Sequence, residues 1–259
     1  IFFLVGLFAC VGSYKLRKMI LACGPFLALI AIFNLPLGLE QNFTFLEDWT
    51  SHYMYVDKLS WVFGLVFCIM GCIGGVFSCH NKSPLEAICS MGYVGASICC
   101  TFAHDWITFL FFWELMAATS LFLVWNDPRP SSRGAGTRYI LVHTLSGNCI
   151  LFGVVLKLSQ GQYLVQNLVN GPHDAAFWLI LAGVAINVAM VPLHAWIADA
   201  YPAATFTGSV FMSSYTTKVA VYAMLRIFGG TDLLIGAGVL MALYGALYAV
   251  MENDVLRLL

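Results

Sequence analysis

Charge is scarce in this sequence. Asp, Glu, Lys and Arg make up 10% of its 259 residues, against about 25% in a soluble domain, and 12 basic against 13 acidic residues leave a formal net charge of −1. Such a chain has no surface of clustered cations with which to grip phosphates, so nucleic acid is excluded as a partner. Redox motifs are missing as well. There is no CxxC pair, no Cys/His ligand spacing, no GxGxxG and no haem-attachment sequence, so neither metal nor cofactor is expected. The nine cysteines, Cys10, Cys23, Cys68, Cys72, Cys79, Cys89, Cys99, Cys100 and Cys149, fall within or at the ends of apolar runs and read as small packing residues.

What the chain has in abundance is apolar sequence, 61% of all residues. Runs long enough to cross a bilayer recur at Met19 to Leu39, Leu59 to Cys79, Glu86 to Phe102, Trp106 to Trp125, Tyr139 to Leu158, Ala175 to Met190, Thr205 to Phe228 and Leu233 to Val250, after an opening half-span, "IFFLVGLFACVG". The expected fold class is an all-α integral membrane protein of about eight to nine transmembrane helices. Because the chain begins inside a hydrophobic run without an initiator Met and stops at "ENDVLRLL", it reads as a fragment.

The short loops set the orientation. "YKLRK" (Tyr14 to Lys18) and "DPRPSSRGAGTR" (Asp127 to Arg138) hold the basic clusters, whereas Glu40 to Asp57 is acidic and lacks Lys and Arg. Counting spans puts both basic loops on one side, which the positive-inside rule makes cytoplasmic. Gly71 and Gly75 form a GxxxG that marks a close helix contact.

Ionisable residues inside the runs carry the functional information, because a charge at mid-membrane costs about 2.5 to 3.5 kcal/mol on insertion scales and faces a partner or a water-filled path. Glu114, nine residues from Asp105, lies about 13 Å deep at helical rise. Lys218, thirteen residues from Thr205 and ten from Phe228, shares that depth. Two readings stand side by side: an ion pair that fixes helix packing, or a proton or ion path in which burial brings both groups toward neutrality. His143, five residues into its run, is either a relay group about 7 to 8 Å below the cytoplasmic surface or a packing histidine. His104 and Asp105 read as an exposed interfacial pair at the outer mouth, and Lys157 and Arg226 as helix-end groups that snorkel. In "GVAINVAMVPLHAWIADAYPAA", Asn187 lies deep in its run, and Pro192 and Pro202 follow. Either the helix is interrupted beside a cavity, or it ends near Met190 and the prolines belong to a loop.

Those same stretches carry a resemblance. "FFWELM" with Glu114, "VPLHAWIADAYPAA" from Val191 to Ala204, "TTKVAVYAMLR" from Thr216 to Arg226 and the closing "MENDVLRLL" resemble the antiporter-like proton-translocating membrane subunits. That family comprises the large membrane subunits of respiratory complex I and the A and D subunits of Mrp sodium/proton antiporters; the nearest likeness is to the D subunits of bacterial sodium/proton antiporters. The resemblance implies inverted five-helix repeats, each with a broken helix, and a central path of Glu, Lys and His. It divides the chain into N-terminal helices (residues 1–84), a first repeat (85–228) and the start of a second (229–259). It implies a proton path of Glu114, Lys218, His143 and Asn187, with Pro192 and His194 in the broken-helix region. Many members carry a lysine where this chain has Asn187, and an amide holds no proton, so Lys218 becomes the expected partner of Glu114.

Two function classes follow. One is a Na⁺/K⁺ and proton antiporter subunit without redox chemistry of its own; the other is a membrane-arm subunit of an NADH:quinone oxidoreductase or membrane-bound hydrogenase. Both imply other membrane subunits, protons, alkali cations and lipid as partners, no enzymatic residues, and a multi-pass location in a bacterial inner membrane.

Overall fold

The computed structural model describes residues 1–46 and 49–258. Ten helices account for most of them: α1 Phe2–Val11, α2 Tyr14–Phe33, α3 Lys58–Phe77, α4 Pro84–Phe102, α5 Trp106–Trp125, α6 Pro130–Ser159, α7 Ala175–Val188, α8 Ala195–Ala203, α9 Phe206–Phe228 and α10 Asp232–Met251. The fold is an all-α membrane fold. Among the described residues, six helices are long and apolar enough to cross a bilayer: α2, α3 with its short extension to His80, α4, α5, α6 and α10. The expectation of eight spans differs for physical reasons. At 14 residues α7 is too short to cross alone, and the 23-residue α9 carries Ser, Thr, Lys218 and Arg226 along its length.

Local chemistry sets the helix ends. Asp57, Ser83, Asp105, Asp174 and Thr205 each cap a helix, accepting the backbone N–H three residues on, which satisfies donors that would otherwise be left bare at the membrane boundary. Pro84 and Pro130 occupy first helical positions, where a missing N–H costs nothing. The α6 helix starts at Pro130 rather than near Tyr139 and runs about 45 Å. Its first turns therefore stand beyond the bilayer, and His143 lies about 20 Å from the helix start.

The acidic stretch after α2 is a hairpin, not an open loop. Strands β1 (Glu40–Leu46) and β2 (Trp49–Tyr55) pair antiparallel with two irregularities; Glu47 and Asp48 lie outside the described residues. Ser51 donates to Asp105 at 2.7 Å, which pins the hairpin to the start of α5. Asp105 is thus a buried cap instead of an exposed interfacial acid, and His104 packs its ring on Tyr55 at 4.8 Å. Lys157 does not snorkel: at 1% exposure it is held by Asp174 and Gln160, each at 3.4 Å. Arg226 pairs with Asp57 at 2.8 Å and with the Tyr222 hydroxyl at 3.0 Å.

Glycine lets the helices approach. A Cβ at Gly75 would strike the Leu21 carbonyl of α2, and one at Gly71 would press on Phe2 of α1, so the GxxxG does mark close contact. At the opposite end from the hairpin, Arg17 is buried with its guanidinium on the carbonyls of Ala9, Gly12 and Lys82. Arg129 bonds Asp127 at 2.7 Å and also the carbonyls of Pro202 and Ala204 at 2.9 and 3.1 Å. Burial pushes the Asp127 carboxyl up, but hydrogen bonds from Arg129 and Ser132 outweigh it and hold the group below its ordinary range. Arg138 takes Asp199 of α8 in a two-pronged pair at 2.6 and 2.8 Å. The second basic stretch, Asp127 to Arg138, therefore anchors α8.

Ser131, beside the buried Ser132, and Thr44 on the hairpin are exposed at opposite ends of the helices. In a cysteine-depleted version, Ser131→Cys is expected to be shielded from impermeant thiol reagents in intact cells and Thr44→Cys to be labelled. The reverse pattern overturns the orientation.

Candidate functional site

The α7 helix stops inside the layer. Ala189 closes it in the left-handed region at φ 60°, its N–H on the carbonyls of Ala185 and Ile186, and the chain resumes as α8 only at Ala195. Backbone freed at that depth must be satisfied by protein. The Trp196 indole does so, reaching back from α8 to donate to the Ile186 carbonyl at 2.9 Å, while Met190 N–H bonds Ala185 and Ile197 N–H bonds His194. Of the two sequence readings of the prolines, the interrupted helix is the one formed. Pro192 lies in the break and Pro202 in the last turn of α8.

Against this break stands His143. It is 2% exposed on α6, its ring 4.1 Å from that of Tyr139 and 4.8 Å from that of Trp196, and neither ring nitrogen has a hydrogen-bond partner among the described residues. Asn187, on the last turn of α7, is 1% exposed, and both ends of its amide are likewise unpaired. Ser146, a turn along α6 from His143, donates to the Gly183 carbonyl at 2.7 Å and ties α6 to α7. Three helix segments, α6, α7 and α8, thus converge on a polar centre in an apolar layer. An unpaired buried polar group costs about 1 to 3 kcal/mol, and His143 and Asn187 both carry that cost beside the break.

Glu114 lies on the α6 side of α5. Its carboxylate rests directly over Gly147, where any Cβ would collide with it, and it faces outward from the helices of this chain. Lys218 lies elsewhere. Its ammonium donates to the Ser213 carbonyl, and its stem lines a groove of about 440 Å³ with Val62, Val66 and Met70 of α3. The expected Glu114–Lys218 pair is not formed among the described residues, because shared depth is not a shared face: α3 packs on α2, α4 and α9, whereas α6 packs on α5, α7 and α8. His194, at the end of the break, sets its ring 4.6 Å from that of Tyr244 on α10, beside a groove of about 550 Å³.

Residues 103–259 match a family described as NADH:quinone oxidoreductase/Mrp antiporter, transmembrane. The chain belongs to that family. An uncharacterized protein of Mycobacterium tuberculosis is 34% identical over 225 residues, covering 79% of this chain and 35% of the relative. NADH-quinone oxidoreductase subunit M of Escherichia coli is 26% identical over 238 residues, covering 81% and 47%. A chain in the structure of the Mrp complex from Dietzia sp. superimposes with a TM-score of 0.80 at 22% identity, over 97% of this chain and 52% of that one. The chain spans roughly a third to a half of the curated relatives' length. The second relative is named as a subunit and the solved chain belongs to a complex, and the structural match supplies the fold in which the polar centre sits.

Reading the sequence by depth found Glu114, Lys218, His143 and Asn187 but missed Gly147 and Trp196. Gly147 follows His143 by four residues, one turn on the same face, which is the signal that could have found it. Gly147→Ala is expected to displace the Glu114 carboxylate and slow ion-coupled proton movement by about tenfold to a hundredfold while the complex still assembles. Vesicle transport assays on the assembled complex check it; a wild-type rate would show that the seat of Glu114 is immaterial.

Proposed function

We propose that this chain is the proton-conducting part of a multisubunit monovalent cation/proton antiporter, in the manner of the Mrp D subunits, exchanging Na⁺ or K⁺ for H⁺ across a bacterial inner membrane. The observation that carries this is the polar centre itself: His143 and Asn187, buried and unpaired among the described residues beside the α7 break, with the Glu114 carboxylate seated over Gly147, one turn along α6 from His143. Residues 85–228 then form one five-helix repeat, α4, α5, α6, the interrupted α7–α8 and α9; residues 1–84 precede it and 229–259 begin the next.

In this reading Glu114 is the titrating acid, His143 the relay, and Asn187 a hydrogen-bonding member that holds no proton itself. Lys218 is the cation that ends the lateral path on the α3 side. Glu114 and Lys218 both lie at faces this chain leaves open, and a bare mid-membrane charge is costly, which supports further membrane subunits or segments against both. The second reading is a membrane-arm subunit of an NADH:quinone oxidoreductase or hydrogenase complex, with the same path driven by a distant redox module. Likeness to subunit M supports it. Either way the chain moves ions and carries no redox centre.

Glu114→Gln keeps size and hydrogen bonding but cannot titrate. It is expected to cut cation-dependent proton movement by about a hundredfold in vesicles that retain the complex, with Asp partly active. Full transport by Glu114→Gln removes that residue from the path. Exchange driven by a Na⁺ or K⁺ gradient alone distinguishes the antiporter from the redox-driven reading.

A further inference from the structure

A line of buried polar side chains crosses the layer on α4, apart from the centre just described. Glu86, Ser90, Tyr93, Ser97 and Thr101 follow one another at spacings of four, three, four and four residues, which places them within an arc of about 80° along about 22 Å of helix. All five are buried. They face α9, whose polar residues meet them in three rungs. Thr207 donates to Glu86; the Thr216 and Tyr93 hydroxyls share a short bond; the Tyr222 hydroxyl donates to the Thr101 carbonyl at 2.5 Å. From Glu86 to Thr101 and from Thr207 to Tyr222 is 15 residues on each helix, so the rungs stay in step.

Both ends of this seam are ionisable and border water-accessible residues. At the cytoplasmic end Glu86 is 6% exposed, bonded by Thr205 at 2.7 Å and Asn126 at 3.1 Å, and has no Lys or Arg partner among the described residues. Ser83, Asn126 and Thr205 beside it are partly exposed. At the other end Tyr222 accepts from Arg226, which pairs with Asp57, and both of the latter are partly exposed. The middle rung lies close to the polar centre: Thr216 is near the hydroxyls of Tyr139 and Tyr201, and Tyr139 bonds Ser120 at 2.7 Å and packs on His143. The Tyr201 hydroxyl is buried without a hydrogen-bond partner among the described residues, near Thr216 and Thr217.

Small hydroxyls on a membrane helix can serve close packing alone, and Ser90, Ser97 and Thr101 each donate back to their own helix. Packing needs neither a buried carboxylate held only by neutral donors nor tyrosine hydroxyls at the middle and far rungs. Resting on the proton-conducting reading above, we propose that the α4–α9 seam is the route by which protons pass between the two water phases and the polar centre, with Glu86 as the loading acid on the cytoplasmic side. A proton from water forms an O–H bond on the Glu86 carboxylate. When it moves on, that bond breaks as the next hydroxyl oxygen gains a hydrogen and gives up the one it held; residues a turn apart, about 5 to 6 Å between Cβ atoms, exchange through a bridging water, and at the far rung the Thr101 hydroxyl, not its carbonyl, which holds no hydrogen, passes the proton to Tyr222 in this way. Every hydroxyl ends with one hydrogen, one proton has moved, and nothing is oxidised or reduced.

The test is proton transport by the intact complex in proteoliposomes with an internal pH dye, assembly being read on the same samples by size exclusion. Thr216→Val, which keeps the shape but not the hydroxyl, Tyr93→Phe and Glu86→Gln are each expected to be at least about tenfold slower. Thr216→Ser, which keeps the hydroxyl and leaves a gap, is expected to run near the wild-type rate. A Thr216→Val variant at wild-type rate with Thr216→Ser impaired makes the seam a packing surface and overturns the proposal. If the three seam variants transport normally while Glu114→Gln does not, the seam is wrong and the proton-conducting reading stands; if Glu114→Gln also transports normally, that reading falls as well.

Discussion

Everything in this molecule answers to one constraint: inside a hydrocarbon layer a polar group has no water to fall back on and must be satisfied by the protein. Most of the chain meets it by being helix, with capping side chains at the boundaries. Where the chain departs from helix, at Ala189 to His194, it recruits the Trp196 indole to cover a freed carbonyl. Both nitrogens of His143 and both ends of the Asn187 amide are unpaired among the described residues at the same place. Their cost is retained where the helix is broken and where an ion or proton would have to pass.

The surrounding architecture holds that place steady. The two-pronged Arg138–Asp199 pair and the Arg129 bonds to Pro202 and Ala204 fix α8 from the basic side, while Asp174 with Lys157 and Asp57 with Arg226 fix the other ends of α6, α7 and α9. Glycines at 71, 75, 147, 153 and 183 let helices close to where a Cβ would collide. The result is a closely packed frame around His143 and Asn187, which suits proton transfer, since transfer rates depend on short distances between donors and acceptors.

Much of this was legible in the sequence. The Trp106–Trp125 helix was bounded to the residue, because Asp105 caps it and the turn with Asp127 and Pro128 ends the apolar run. Depth was legible too, since counting residues from a charged boundary gives height in the layer; Glu114, His143, Asn187 and Lys218 emerged that way. The side of the helix on which a residue lies, relative to its neighbours, was not. Glu114 and Lys218 share a height but look toward α6 and α3, and only tertiary packing decides that. The same limit hid Lys157 and Asp105, which read as boundary charges until Asp174 and Ser51 are seen beside them, and Glu86, which stands at the edge of an apolar run. The family resemblance, by contrast, rested on whole motifs and holds.

The central claim is that a carboxyl on α5 takes up and releases a proton in mid-membrane. Infrared difference spectroscopy of the reconstituted complex, poised between opposite proton gradients, reads that event as the carbonyl stretch of a protonated carboxylic acid. The account predicts a band that appears on proton loading, shifts in D₂O, and is absent in Glu114→Gln while other carboxyl bands persist. A difference spectrum unchanged by Glu114→Gln in an assembled, transporting complex would contradict it.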